Sequence, residues 1–186
     1  ALWADRDQAL WVGASDGVHR LDRDSLSLRR MWPTDGQAGV PGAHGVRAVV
    51  GDGRGRLWLV LWHRGLVRFD PASSQALEIV YDPEVPASLP EQRLTAAMID
   101  HSGLLWLGGE VRGLATTHPD GAPFPYVLDL HPGSNRIDTN NLRVLQESAD
   151  GKLWLGTEGD GLKRYDPANG QFERYADVFE PLLDPV

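Results

Sequence analysis

The segment Gly151-Lys-Leu-Trp-Leu-Gly156 decides the fold, because close copies of it recur along the whole chain. The copies are Gln8-Ala-Leu-Trp-Val-Gly13, Gly55-Arg-Leu-Trp-Leu-Val60 and Gly103-Leu-Leu-Trp-Leu-Gly108. Spacings of 47, 48 and 48 residues separate the central tryptophans, which are Trp11, Trp58, Trp106 and Trp154. A fixed period of this length indicates that one supersecondary unit is stacked several times.

Each repeat contains four short apolar segments that are separated by turn residues. The first segments are 46–50, 94–99 and 142–145, and in the first repeat only 1–3 remains. The second segment is the Leu-Trp-Leu strand. The third segments are 17–21, 65–69, 113–116 and 161–165, and the fourth are 28–32, 77–81, 126–128 and 172–175. Because no segment keeps a 3.6-residue period, the pattern predicts an all-β chain.

Four short antiparallel strands in about 48 residues predict a β-propeller blade, which is a four-stranded sheet arranged radially around a channel. We therefore predict a single domain over 1–186, with four repeats, a truncated first blade and the character of a fragment of a larger ring. Expected boundaries are 1–32 for partial blade 1, 44–82, 92–130 and 140–176 for blades 2 to 4, and 177–186 for an apolar tail. The four tryptophans are expected to pack between blades.

Composition excludes several classes of function. The formal net charge of −8 argues against nucleic-acid binding, which needs a basic surface, and the absence of cysteine excludes thiolate chemistry. The six histidines lack short metal-ligand spacing, so we predict no metal and no cofactor. Asp5, Asp52 and Asp100 occupy equivalent turns and are expected to cap backbone N–H groups.

One apparent catalytic motif is Gly13-Ala-Ser-Asp-Gly17, which matches the G-x-S-x-G pattern of a nucleophile elbow. That motif works on a turn between a strand and a helix. Here it falls between two predicted strands, so we interpret it as a tight turn. The innermost strands are too apolar for a catalytic channel, and we expect their two charges, Arg47 and Arg143, near the channel mouth.

The fourth repeat, Asp150-Gly-Lys-Leu-Trp-Leu-Gly-Thr-Glu-Gly-Asp-Gly-Leu-Lys-Arg-Tyr-Asp-Pro167, resembles the two-component regulator propeller repeat. Residues 88–94 and 137–142 are similar to the short motif that precedes the first strand in that family. The resemblance implies the periplasmic sensor region of a bacterial hybrid two-component or diguanylate-cyclase receptor. It also implies membrane attachment only through the parent receptor, whose output would be a cytoplasmic histidine kinase or diguanylate cyclase.

Departures from the repeat are concentrated in the connection between the second and third strands. In a propeller this connection shares a face with the blade-to-blade crossover, which includes His44, Gln92-Arg93 and Asn140-Asn141. Loops on a rigid scaffold commonly carry specificity. We therefore predict a ligand- or partner-binding rim made by Trp62, His63, Arg64, Glu110, Arg112, Glu158 and Asp160.

The leading functional prediction is a non-catalytic, periplasmic sensor that binds a small molecule, a glycan or a protein partner. The alternative is a constitutive protein–protein interaction or scaffold propeller without a small ligand, and an enzyme with a catalytic channel is the third hypothesis. The sequence leaves undecided whether the four repeats close into a ring, stay as an open arc, or associate with further blades or with a second copy of the chain. An open arc or an oligomer is the expectation.

Overall fold

The computed structural model describes residues 1–5, 9–33, 45–85, 87–121, 123–127, 141–159 and 161–175. Within these residues the chain forms sixteen strands in four separate four-stranded antiparallel sheets, and none of them is helical. It follows that this part of the chain contains no helix able to span a membrane. The all-β prediction is confirmed, and the sheets have the form of propeller blades.

Each sheet takes its four strands in chain order, and consecutive strands pair as hairpins. The first sheet contains β1 (Leu2–Ala4), β2 (Leu10–Ala14), β3 (Gly17–Leu21) and β4 (Leu28–Trp32). The second contains β5 (Val46–Gly51), β6 (Leu57–Leu61), β7 (Gly65–Asp70) and β8 (Gln75–Ile79). The third contains β9 (Leu94–Ile99), β10 (Leu105–Gly109), β11 (Leu114–Thr117) and β12 (Tyr126–Val127). The fourth contains β13 (Leu142–Glu147), β14 (Leu153–Thr157), β15 (Leu162–Asp166) and β16 (Gln171–Arg174).

The outer strand of the second sheet differs from its sequence prediction. We expected 77–81, whereas β8 spans Gln75–Ile79 because the hairpin register begins with the pair Asp70–Gln75. The apolar pattern located the side chains of this strand, but backbone pairing across a tight turn decides where the strand starts. The first sheet has a β1 of three residues, whereas β5, β9 and β13 each have six.

Neighbouring sheets pack through one repeated interface. In the first three sheets the tryptophan of the second strand lies on the face that is turned toward the following sheet, and we call this face, and the equivalent face of the fourth sheet, the Trp face. Trp11, Trp58 and Trp106 are buried against the second, third and fourth sheets, with exposed fractions of 5%, 2% and 3%. Because side chains alternate along a strand, the flanking leucines fill the opposite face. The predicted packing role holds for these three tryptophans.

The glycine after Trp-Leu or Trp-Val in the repeat allows this close packing. A Cβ atom added to Gly13 would lie 2.8 Å from Val46 of the second sheet, and one added to Gly108 would lie 3.0 Å from Leu142 of the fourth. These contacts are shorter than van der Waals separation. Glycine at these two positions therefore allows the inner strand of the next sheet to cross the Trp face closely, whereas the second sheet accommodates the buried Val60 at the equivalent position.

The inner strands of the four sheets line a common cavity of about 540 Å³. Its walls are mostly aliphatic and include Val49, Ala97 and Leu145. In sequence-adjacent sheets the inner strands contact each other, but no contact of that extent joins the fourth sheet to the first among the described residues. No closed ring is present in that part of the chain.

Candidate functional site

The loops between second and third strands lie beside the crossovers at one end of the sheets. Three equivalent backbone hydrogen bonds join them: the amides of Trp62, Glu110 and Glu158 donate to the carbonyls of Gly45, Arg93 and Asn141 at 2.9, 3.0 and 3.0 Å. This repeated bond places loop and crossover on one rim, as expected for a propeller. We call this surface the loop rim.

Trp62 is an exposed aromatic group on the loop rim, with 50% of its surface accessible. The Arg47 guanidinium lies 3.6 Å from the centre of its ring, and His63 meets it edge-on at a centroid distance of 5.3 Å. A β-bulge after Val46 sets Arg47 at the rim end of β5, since bulges redirect side chains. The indole is therefore held in place although half of it faces solvent.

Glu110 connects the second and third sheets across the loop rim. Its side chain is only 12% exposed, and its carboxylate pairs with Arg47 at 3.4 Å and with Arg93. Arg47 thus contacts Trp62 on its own sheet and Glu110 on the next. Because both partners of Arg47 are fixed, the aromatic surface and the guanidinium donors beside it are preorganised.

Glu91 was missed by the sequence analysis, yet it fixes the loop that carries Glu110. This carboxylate is 7% exposed and accepts backbone hydrogen bonds from Val111 at 3.1 Å and Arg112 at 2.7 Å. Burial raises the pKa of Glu91, against the effect of these N–H donors. A Cβ at Gly109 would fall 1.8 Å from its Oε1 atom. The pairing of Glu91 with Gly109 is the only sequence signal that could have pointed to this clamp.

Two predicted rim arginines contact the outer part of the second sheet. Arg64 pairs with Glu78 of β8 at 3.1 Å, and the Arg112 guanidinium lies 5.7 Å from the ring centre of Tyr81. Their described contacts are thus with different groups from those of Trp62 and Glu110. The structure therefore divides the predicted rim into an inner group and an outer group.

The fourth sheet carries a separate part of the rim. Glu158 accepts hydrogen bonds from Asn141 and from Arg143, whose Nε is 3.0 Å away. Arg143 follows Leu142 at a bulge, as Arg47 follows Val46, so both charges lie at the rim end of their strands. Asp160, His44 and Asn140 lie outside the described residues.

The loop rim of the second and third sheets is more basic than the chain as a whole. Among the described residues, four guanidiniums lie there with three carboxylates, whereas the formal net charge of the chain is −8. The basic groups are Arg47, Arg64, Arg93 and Arg112, and the acidic groups are Glu78, Glu91 and Glu110. An aromatic surface with adjacent N–H donors is suited to binding a ligand with an apolar ring face and oxygen acceptors.

The apparent nucleophile elbow lies in a strand-to-strand turn. Ser15 and Asp16 connect β2 to β3, and Asp16 pairs with His19 at 2.9 Å, a hydrogen bond that lowers the pKa of Asp16. A turn between strands lacks the helix that an elbow needs. In the described residues no three His, Asp or Glu side chains are grouped closely enough to hold a metal ion.

Comparison with known proteins places the chain by fold. No family model matches it, and no curated protein sequence matches it. The extracellular domain of a protein designated a hybrid two-component system, from B. thetaiotaomicron, superposes with a TM-score of 0.73 at 17% identity, over 94% of this chain and 24% of that one.

Two further solved structures show how widely this fold is used. PorZ, a surface component of the type-IX secretion system of Porphyromonas gingivalis, gives a TM-score of 0.65 at 20% identity, over 91% of this chain and 24% of PorZ. A GH74 enzyme from Niastella koreensis gives 0.62 at 12% identity, over 93% of this chain and 29% of the enzyme. The chain spans 24% to 29% of the length of these three proteins, and the likeness at this identity concerns the fold alone.

Proposed function

We propose that this chain is a non-catalytic recognition region of a bacterial signalling receptor, located outside the cytoplasm in the periplasm. The observation that carries the proposal is the half-exposed Trp62, which is held by Arg47 at 3.6 Å on a rim cross-linked through Glu110. A large exposed aromatic group that is fixed by its neighbours loses little conformational entropy when a ligand covers it. Such groups are typical anchors of binding surfaces.

The structural neighbours support the extracytoplasmic part of the proposal. The extracellular domain with the TM-score of 0.73 belongs to a protein designated a hybrid two-component system. The repeat resemblance in 150–167 points to the same class of receptor. A ligand on the loop rim would act by binding one arrangement of the receptor more tightly than another, because only differential affinity shifts an equilibrium.

The cavity between the inner strands supports a non-catalytic role. Among the described residues that line it, Glu147 is the one carboxylate, and it accepts a hydrogen bond from the backbone amide of His101 at the end opposite the loop rim. Glycoside hydrolysis, for comparison, uses two carboxylates on either side of the substrate bond. A lining of Val49, Val50, Ala97 and Met98 offers no such pair.

Thermal-shift measurements test this function directly. The chain would be screened against neutral and acidic oligosaccharides and small organic acids, together with Trp62→Ala and the control Leu77→Ala. Leu77 is equally exposed at 50% but lies on the outer strand β8. At least one compound should raise the melting temperature of the chain and of the control, but not of Trp62→Ala, since ligands stabilise the state they bind.

A scaffold without a small ligand is the second candidate, and the likeness to PorZ, a surface component of a secretion system, favours it. The two hypotheses predict different results in the same screen. If no compound changes the melting temperature, while immobilised chain captures one envelope protein and Trp62→Ala does not, the scaffold is supported. A shift that is identical in all three proteins would contradict both uses of the loop rim.

A further inference from the structure

A guanidinium lies over the tryptophan of the Trp face in three of the four sheets. The tryptophan of the second strand is paired across the hairpin with Arg20 in the first sheet, Arg68 in the second and Arg164 in the fourth. The distances from guanidinium carbon to ring centre are 5.9, 6.0 and 5.2 Å. Because this cation–π contact recurs, the three arginines can be compared by what lies opposite them on the outer strand.

The first and fourth sheets place opposite charges at this outer position. In the fourth sheet Arg164 lies opposite Glu173, forms an ion pair with it at 3.9 Å, and also binds Asp150. In the first sheet Arg20 lies opposite a second arginine, Arg29. Among the described residues, neither Arg20 nor Arg29 forms an ion pair with a carboxylate. Like charges directly opposite each other on a sheet are destabilising, so this pair calls for a negative group between its members.

The two arginines border an open cleft of about 490 Å³ on the Trp face of the first sheet. Its apolar part is formed by Ala9 and Met31, and Met31 packs against the buried cluster that contains Trp11. Because β3 runs from the loop rim to the hairpin that lines the cleft, the cleft lies at the end of the sheet opposite the loop rim. Its volume is in the range of small-molecule binding sites.

The cleft is basic, although the formal net charge of the chain is −8. Its charged lining consists of three arginines and two aspartates, which are Arg20, Arg23, Arg29, Asp22 and Asp24. The carboxylate of Asp22 accepts the backbone amides of Asp24 at 3.1 Å and Ser25 at 2.8 Å. Asp22 is thus directed to its own turn and not to the arginine pair.

We propose that this cleft binds a small organic molecule through a carboxylate or phosphate group that lies between Arg20 and Arg29. The anion takes the place that the Glu173 carboxylate has beside Arg164 in the fourth sheet. Directly paired strand positions hold their Cβ atoms about 4.5–5.5 Å apart, so both guanidiniums reach one anionic group. Arginine binds the oxygens of carboxylates and phosphates through paired N–H donors. Met31 contacts the apolar body of the ligand.

Titrations followed by amide NMR locate the site with three probes of similar body, namely phenyl phosphate, benzoate and the neutral benzyl alcohol. Phenyl phosphate or benzoate should shift the amide signals of Arg20, Arg29 and Met31 and saturate with a dissociation constant below about 1 mM. The tighter of the two anions identifies the preferred group. Benzyl alcohol should bind at least about tenfold more weakly, because it lacks the charge that strengthens hydrogen bonds to arginine.

A matched pair of variants separates the cleft from general surface charge. Arg29→Gln should raise the dissociation constant of the anion at least about tenfold, because one charged donor group is lost. The control is Arg68→Gln, which removes the equivalent of Arg20 in the second sheet, where Leu77 lies opposite and no arginine pair exists. It should leave the affinity unchanged. Arg29 is exposed, so its replacement should not impair folding, and the amide spectrum of each variant verifies this.

Arg29→Glu copies the charge pair of the fourth sheet into the first. The new carboxylate lies opposite Arg20, as Glu173 lies opposite Arg164. This variant should melt at a higher temperature than the parent chain in low salt without ligand, because repulsion is replaced by attraction. It should also lose binding of phenyl phosphate and benzoate. A gain in stability together with a loss of binding is expected where a charge arrangement is kept for a ligand.

Three results would overturn the proposal. The first is the absence of saturable shifts with either anion up to about 10 mM, well beyond the expected constant. The second is an affinity that Arg29→Gln leaves unchanged, or that Arg68→Gln lowers to the same extent. The third is a melting temperature of Arg29→Glu at or below that of the parent chain. The site is independent of the proposed loop-rim function, so Trp62→Ala should bind the anion as the parent chain does.

Discussion

Asp100 accepts a hydrogen bond from the indole Nε1 of Trp106 at 2.7 Å while it caps its own turn through the amides of Ser102 and Leu104. Asp5 does the same for Trp11, at 3.0 Å. Burial acts to raise the pKa of Asp100, but the hydrogen bonds from Ser102, Trp106 and Leu104 outweigh it and hold that pKa below its usual value. The repeat aspartate therefore joins the turn to the inter-sheet tryptophan.

In the second sheet the equivalent aspartate does not bind the tryptophan. The same substitution in the second and third sheets therefore measures the contribution of this hydrogen bond. Asp52 binds the side chain of Arg56 at 2.6 Å, and the buried Trp58 indole N–H has no acceptor among the described residues. Trp106→Phe should cost about 1 kcal/mol more unfolding free energy than Trp58→Phe, because only the former loses a hydrogen bond. Urea unfolding of both variants measures the difference, and equal costs would contradict it.

Alanine substitution of the repeat glycines should separate the Trp faces that a following sheet crosses from the Trp face of the fourth sheet, which no described residue of another sheet crosses at its glycine. Gly13→Ala and Gly108→Ala force a methyl group against the next sheet, and overpacking of this kind typically costs about 1–3 kcal/mol. Gly156→Ala meets only Val144 of its own sheet and should cost less than about 0.5 kcal/mol. Melting temperatures provide the ranking, and the idea fails if Gly156→Ala is as damaging as the other two.

Gly109→Ala should release the loop that carries Glu110. Its methyl group would occupy the position of the Glu91 carboxylate, so the bonds from Glu91 to the amides of Val111 and Arg112 would be lost. Hydrogen exchange at those two amides should accelerate by about tenfold or more, as expected when roughly 1.4 kcal/mol of protection is removed. Gly45→Ala is the control on the same rim, because its added atom lies 4.0 Å from the Trp62 Cβ. Unchanged exchange in Gly109→Ala would refute the clamp.

Because of the contact between His101 and Glu147, the free energy of unfolding should decrease as the pH rises above the ordinary pKa of histidine. The Glu147 carboxylate raises the pKa of His101, and it also accepts the His101 amide at 2.8 Å. The contribution of the protonated ring is complete below the unfolded pKa of about 6.5 and is lost as pH rises through the higher folded pKa. His101→Gln should therefore destabilise the chain at pH 5.5 more than at pH 8.5. Glu147→Gln should show the same trend, and a pH-independent cost in both would exclude the ion pair.

The repeat pattern predicted the sheets well because each blade is a local structure. Strands joined by tight turns pair with their sequence neighbours, so Leu-Trp-Leu and the following Gly-Leu segment specify a hairpin without information from elsewhere. The same period predicted the aspartate caps, which bind amides in their own turns. The error at β8 arose because side-chain pattern and backbone register need not end at the same residue.

The repeat pattern predicted the location of the loop rim but not the side-chain contacts on it. The expectation that loop and crossover share a rim agrees with the observed backbone bonds, because propeller connectivity dictates it. The seven predicted rim residues remain a prediction as binding residues. Glu91 holds the loop of the third sheet, and Arg47 lies over the ring of Trp62. Both contacts depend on how the loops fold over the rim. The repeat pattern therefore does not predict either contact.

By itself, the sequence determined that this chain is an all-β repeat with four strands per unit, and it predicted that the tryptophans pack between units. These properties follow from side-chain alternation and turn chemistry, which act over a few residues. Only the tertiary structure decided that, among the described residues, Trp154 is more exposed than Trp11, Trp58 and Trp106, which the following sheets bury. Identical motifs can have different surroundings, because the burial of a side chain depends on which residues pack opposite it and not on the residue itself.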